Sequence, residues 1–333
     1  MENSAEAHYC QQLASNQPNV REKALRKIGL WFATKSVSKD GFDEEKLLKM
    51  WKGIFYYFWH CDKMLVQEEK ADIISGFVHN FKSIKFAFMF VDTFFQTMSR
   101  EWHGIDRYRI EKFMMLIRRV LHQTYQLLKN HKWDVKFILQ FTKMMKKTVI
   151  SPEATSAPFG LKIHISDIYM EELAKVGADE LTPKIIRKFL LPYCEVVCKS
   201  NDPTFVSSVK QDVLLYLINQ DADTDKFHEF PILQFKPVAL QKLLMKYANL
   251  PDVRRKNIKV IHDVVKEIED FKNGITLGDK IFADKTSKRK LRKRAIDRAT
   301  ESLLQEEQEC WEMKQAYKKN KKSIKKDQEV IDM

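Results

Sequence analysis

From residue 20 to residue 272 of this 333-residue chain, apolar residues return every three or four positions and nowhere alternate long enough to make a strand. Residues 20–34 set Val20, Ala24, Ile28 and Trp31 on one side of a helix, with Arg21, Lys23, Arg26 and Lys27 elsewhere. The segment KMWKGIFYYFWH (49–60) is apolar almost all round, as a helix buried on several sides would be. The same spacing predicts helices over about 64–80, 83–100, 107–130, 133–148, 161–175, 183–199, 203–219, 236–248 and 256–272.

The punctuation agrees. Thr182-Pro183 and Asp202-Pro203 each place a capping residue before a Pro at the first helical position. Only KSND separates the two helices they bound, which predicts an antiparallel hairpin, and Pro192 inside the first predicts a kink. SPEATSAPFG (151–160) and the acidic NQDADTDKFHEFP (219–231) read as loops. Gly and Pro number 9 each, too few for a fold made of many tight turns. About a dozen short helices on short loops define an all-α chain, read as a HEAT/armadillo-like α-solenoid. No sequence repeat at 40–47 residues is evident, so that reading rests on helix spacing; a globular all-α domain is the alternative.

Composition changes near residue 285. Residues 285–333 hold 15 Lys+Arg against 9 Asp+Glu, while the other 284 residues hold 43 against 36. The expected division is therefore a helical domain over 1–284 and a basic, partly helical extension over 285–333. In KTSKRKLRKR (285–294), Lys288, Arg289, Lys290, Arg292, Lys293 and Arg294 form a dense cationic run, and Lys318, Lys319, Lys321 and Lys322 form a second. Such runs serve nuclear import or phosphate contact equally well, since both need charge density rather than geometry; a merely charged tail is the plain alternative. Between them Ile296, Leu303, Cys310 and Tyr317 recur every seven residues. One such stripe fits a helix that docks on a partner or on the core better than a coiled coil.

Net charge is +13, which favours a polyanionic partner. Five scattered cysteines suit a reducing compartment rather than a disulfide framework. MENSAEAHYCQQL has neither the basic nor the apolar region of a secretory signal, and the most apolar run, FAFMFVDTFF (86–95), is too short to cross a bilayer. The expectation is a soluble intracellular protein that uses no membrane.

The stretch EWHGIDRYRIEKFMMLIRRV (101–120) carries the candidate binding residues. Gly104 ends one helix, Asp106 stands where an N-cap would, and Ile105 and Ile110 stand where a hydrophobic staple would. Ile110, Phe113, Met114, Ile117, Leu121 and Leu128 then form the core stripe, Arg109, Lys112 and Arg119 fall opposite, and Arg107 and Arg118 flank it. These five cations form either a ridge for phosphate or an acidic partner, or a solvated face of ordinary ion pairs. On the first reading, Glu at Arg109, Lys112 and Arg119 weakens association while the fold survives.

Reactive chemistry is harder to find. There is no Gly-rich phosphate loop, G-x-S-x-G elbow or H-E-x-x-H. His60-Cys61-Asp62 are adjacent and point about 100° apart on a helix, so they cannot converge. Cys194 and Cys198 share a helix face but lack a second pair for zinc, and core packing is the better reading. No catalytic residue, metal, cofactor or small-molecule substrate is expected.

Several blocks resemble the ribosomal RNA-processing protein 1 family. They are LASNQPNVREKALRKI (13–28), KMWKGIFYYFWHCDKMLVQEE (49–69), the stretch 101–120 above, GLKIHISDIYMEEL (160–173) and LLPYCEVVCKSND (190–202), in the family's order across about residues 8–215. Met64 departs from the pattern, which has Pro after Asp-Lys. The resemblance implies an all-helical, HEAT-like, non-enzymatic assembly factor of the nucleolus and nucleus. Its partners would be the pre-ribosomal particle, other ribosome assembly proteins and pre-rRNA, in maturation of large-subunit rRNA. A nuclear protein–protein adaptor without RNA contact is the alternative.

Overall fold

The computed structural model describes residues 4–38, 40–220 and 231–275, together with Gln305 and Gln308. The two cationic runs of the extension and the seven-residue stripe between them lie outside the described residues. The chain divides into two units, Met1–Gly274 and Ile275–Met333, and the account below concerns the first.

Among the described residues every regular element is helical: α1 (Ala5–Leu13), α2 (Pro18–Lys35), α3 (Glu44–Trp59), α4 (Met64–Gly76), α5 (Ile84–Glu101), α6 (Ile110–Asn130), α7 (Val135–Thr148), α8 (Phe159–Gly177), α9 (Pro183–Lys199), α10 (Pro203–Ser208), α11 (Tyr216–Asn219), α12 (Pro237–Ala248) and α13 (Arg255–Lys272). Short 3-10 turns follow α4 (Phe77–Asn80) and α5 (Trp102–Gly104), and a π turn (Val209–Leu214) joins α10 to α11. The segment 203–219, read as one helix, is thus one helical run with a wide turn in its middle, closed by Leu215 N–H donating to Lys210 O at 2.9 Å. α9 runs unbroken through Pro192. Met64 takes the first helical position of α4, where the backbone N–H has no partner inside the helix and Pro is the common choice.

The helices form two layers. In one, α1, α3, α5, α7 and α9 pack in succession, and α12 and α13 both pack on α9. In the other, α2 meets the 3-10 turn after α4, then α4, α6, α8 and the π turn follow. This succession is that of an α-solenoid, and it shows the repeat that residue identities hide. Side-chain hydrogen bonds between neighbouring helices recur at separations of 47 (Asp72–Arg119), 50 (Met114–His164), 54 (Arg118–Glu172), 44 (Tyr125–Tyr169) and 49 residues (Cys198–Tyr247).

Aromatic side chains fill the seam between layers. Phe32 stands 4.9–5.8 Å from Phe42, Phe77, Phe81 and Phe90. Trp51 is buried beside Phe90, and its indole N–H donates to Phe90 O at 2.8 Å. Two residues on, Gly53 is required by close approach: a Cβ there would lie 2.5 Å from Cys10 Sγ on α1. That accounts for the Trp-Lys-Gly of the second family-like block. α1 itself was not legible. It is short, and only Leu13 and Glu6 are buried, so the face had too few apolar residues to register.

Three helix-to-loop junctions in the first layer share one device. The Lys112 ammonium, 5% exposed, donates to Trp59 O (2.7 Å) and Cys61 O (2.8 Å) at the end of α3. Lys162, 4% exposed, donates to Ser151 O (3.1 Å) and to Glu153 O just beyond α7. Asn257, 8% exposed, donates through Nδ2 to Cys198 O (3.3 Å) and Ser200 O (2.9 Å) at the end of α9. Each donor sits in the first turn of α6, α8 or α13, and each carbonyl pair is two residues apart. In α3 and α9 the pair includes a last-turn carbonyl, Trp59 O or Cys198 O, which has no partner within the helix and carries the negative end of its dipole; after α7 both carbonyls belong to the loop that follows.

Replacing Lys112 or Lys162 by Met keeps the volume and removes the donor. Each change is expected to lower the unfolding free energy by about 1–3 kcal/mol, the cost of leaving buried carbonyls unpaired. Urea denaturation measures it, with exposed Lys143→Met as control; equal midpoints for clamp and control variants would show that the clamps contribute nothing.

Candidate partner and RNA interface

The start of α6 is built as the sequence suggests and then used differently. Asp106 Oδ1 accepts from the N–H groups of Tyr108 (2.9 Å) and Arg109 (3.1 Å), and Asp106 O accepts from Ile110 N–H (3.1 Å), so the aspartate caps the turn that leads into the helix. The hydrogen bond from Arg109 holds the Asp106 carboxyl below its ordinary range. Ile105 packs against the core.

The five cations do not form one open ridge. Lys112, expected on the outer side, points inward to clamp α3 and also lies 5.7 Å from the Phe58 ring. Burial pulls its pKa down. The helical wheel placed it away from the core of α6 itself, but the end of α3 covers that side. Glu at Lys112 would set a carboxylate against two carbonyls and destabilise the fold, so the fold-neutral charge reversal uses Arg109 and Arg119 alone. Arg109 pairs with Asp106 at 2.5 Å and lies 5.0 Å over the Trp59 ring. Arg119 pairs with Asp72 on α4. Arg118 pairs at 2.8 Å with both Glu171 and Glu172 of α8. Arg107 is exposed, stacks at 4.7 Å over Tyr108 and has no acidic partner among the described residues. Tyr108 is 78% exposed. The freely accessible part of the candidate site is therefore Arg107 and Tyr108; Arg109, Arg118 and Arg119 are each about a third exposed and ion-paired.

Sequence reasoning missed the centre of the α6–α8 contact. Glu172 is buried and receives Arg118 Nη1 (2.8 Å) and Lys175 Nζ (2.9 Å), with His122 Nδ1 at 2.8 Å. Burial alone would raise its pKa; the hydrogen bonds from His122, Lys175 and Arg118 outweigh this and hold it at about 2. The wheel gave no warning, because a Glu among apolar neighbours reads as an exposed residue until its partners from another helix are in place.

The thiols are packing residues. Cys61, Cys194 and Cys198 are buried, and burial pushes all three pKa values up, Cys198 to about 11. A thiol at such a value is protonated and a poor nucleophile. His60 caps the end of α3. Among the described residues no group of three or more His, Cys, Asp or Glu is placed to hold a metal ion, and no helix is long and apolar enough to cross a membrane.

The described helices of this unit thus define an all-α protein of the two-layer solenoid class, with many of its polar groups engaged in helix-to-helix contacts. Residues 4–332 match the family model described as nucleolar protein Nop52, and the chain belongs to that family. It is 40% identical over 220 residues to mouse ribosomal RNA processing protein 1 homolog B, covering 66% of this chain and 30% of that one. It is 36% identical over 216 residues to human homolog A, covering 65% and 47%. The match to the Caenorhabditis elegans homolog, 30% identical over 278 residues, covers 81% and 69%. The chain thus spans less than half the length of these mammalian relatives.

The depressed Glu172 value fixes a pH response. Its folded pKa of about 2 lies below the ordinary 4.5, so its contribution is complete above pH 4.5 and is lost as pH falls through that window. The shift corresponds to about 3 kcal/mol. The stability gap between the parent and Glu172→Gln should narrow steadily over this window in urea titrations; a constant gap would mean that Glu172 titrates as an ordinary carboxyl.

Proposed function

We propose that this chain is a non-enzymatic assembly factor in the nucleolus that serves maturation of pre-rRNA within large-subunit precursors. The helical unit acts as a docking platform for assembly proteins and pre-rRNA. The basic extension, with Lys288–Arg294 and Lys318–Lys322, supplies nuclear import and sequence-tolerant phosphate contact. Arg107 and Arg109, with Tyr108, form a partner contact at the head of α6, continued by the partly exposed Arg118 and Arg119 and supported from within by Lys112. The single observation that carries the reading is membership of the Nop52 family along nearly the whole chain, in the company of relatives named for ribosomal RNA processing.

A second reading, an adaptor that touches proteins alone, draws support from the engagement of the α6 cations in internal contacts. The two part on nuclease treatment: an adaptor's complexes survive digestion of RNA, whereas an RNA-contacting factor loses a share of its partners.

Depletion of the protein from cells should cause unprocessed large-subunit precursor transcripts to accumulate, read by hybridisation probes across the spacers. The tagged chain should sediment with large-subunit precursors in a gradient. Normal transcript levels after depletion, together with sedimentation at the top of the gradient, would overturn the proposal.

A further inference from the structure

The cations around α6 are largely engaged; several of those on α7, α9 and α12 are not. α7 carries Lys136, Lys143, Lys146 and Lys147 and no acidic residue, and α12 carries Lys242 and Lys246 and no acidic residue. α9 carries one acid, Glu195, which is taken by Lys146 (2.5 Å) and Lys199 (3.5 Å). Near the ends of α7, Asp134 is spent capping the helix, accepting from Lys136 N–H, and Glu180 is held by Lys129 and Trp133. Asp92 of α5 lies close enough to feel Lys147. That leaves Lys136 and Lys143 on α7, Lys184 and Lys188 on α9, and Lys242 and Lys246 on α12 without a salt bridge among the described residues.

α7 packs on α9 and α9 on α12, and the Lys146–Glu195 ion pair joins the exposed sides of α7 and α9. The helices run parallel at a common offset. Lys146 meets Glu195, and Cys198 donates to Tyr247 O, each pair 49 residues apart. Along α7, Lys136 to Lys147 covers roughly 16 Å at 1.5 Å per residue. Three helices at 8–10 Å spacing extend roughly 16–20 Å across. The large hydrophobics exposed on these helices are Val135, Leu139 and Val238, with no aromatic among them.

We infer that this lysine face binds the sugar-phosphate backbone of folded RNA. The inference rests on the proposed role in pre-rRNA maturation and names the surface that performs it. Charge complementarity selects the occupant: rows of unpaired point charges with hardly any acid between them favour a polyanion. Lysine ammoniums accept phosphate from many directions, which suits sequence-tolerant contact. Single-stranded RNA would call for exposed aromatics on which bases stack, and this face offers none. A duplex or stem, read by its shape and phosphates, meets what the face presents.

The test uses the full chain and a labelled hairpin RNA with an uninterrupted duplex stem. One variant carries Lys→Gln at Lys136, Lys143, Lys184 and Lys188. The control carries Gln at Arg255, Lys256, Lys259 and Lys266 on α13, where Asp263 and Glu269 are interleaved, so both variants lose four positive charges. Circular dichroism melting checks that both fold. The face variant should flatten the plot of log affinity against log salt by roughly 3.6, the slope that four lost duplex phosphate contacts remove, and the control should keep the parent slope. The basic extension contributes equally to all three proteins and so does not mask the difference. Equal slopes for face variant and parent, or an equal change in the control, overturn the assignment of this face. If the face fails while the tagged chain still sediments with large-subunit precursors, the functional proposal stands without it; if the chain does not sediment with them, both fall.

Discussion

A stack of short helices creates a problem at every helix end. Four carbonyls at each C-terminus lack partners within the helix, and in a layered stack some of them are sealed from water by the next repeat. Here the ends of α3 and α9 and the loop after α7 are met by Lys112, Asn257 and Lys162, each reaching from the first turn of another helix to carbonyls two residues apart. Burying an ammonium costs several kcal/mol unless its donors are used, and the lowered pKa values of both lysines register that cost. Two carbonyl bonds and an adjacent aromatic ring, Phe58 for Lys112 and Phe205 for Lys162, offset it. The clamp works only if the two helices are in register, since a shift of one turn would leave both the carbonyls and the cation unpaired. It therefore specifies how repeats stack more than it adds to their stability.

The same accounting explains what could be read from the sequence. Helix positions follow from spacing within one segment, and most of the predicted helices stand where expected, with the observed α5 and α13 within a residue of the expected bounds. The exceptions lacked the signal: α1 buries too few apolar residues, and the π turn in the run 203–219 widens a helix without changing its amphipathic face. Layering and register were invisible, because neighbouring helices of a layer meet through residues some fifty positions apart whose chemistry changes from pair to pair, from Met114–His164 to Arg118–Glu172.

Function was less legible than fold for a related reason. A helical wheel sorts residues by their own helix and cannot see what another helix covers. It sets Lys112 outside, where α3 in fact ends, puts Arg119 on the same outer side and Arg118 beside Arg107 at the flank, although Arg118 and Arg119 pair with α8 and α4 respectively. It equally gave no weight to α7, α9 and α12, whose lysines look like ordinary surface residues one helix at a time. Only the order of packing brings those rows together.

The two kinds of cation are linked through the clamps. The row on α9 sits on a helix whose C-terminal end is held by Asn257, with a further hydrogen bond from Arg254 to Lys199 O at 3.0 Å, and the loop that leaves α7 is held by Lys162. Fixing those ends fixes the spacing of the exposed charges, and a polyanion with a regular backbone rewards fixed spacing: each lysine already in place forgoes part of the ordering cost of binding. In a solenoid each repeat touches mainly its neighbours, so a loosened clamp need not unfold the chain to be felt. It would let two rows slide against each other, and the surface would lose its pattern before the fold lost its stability.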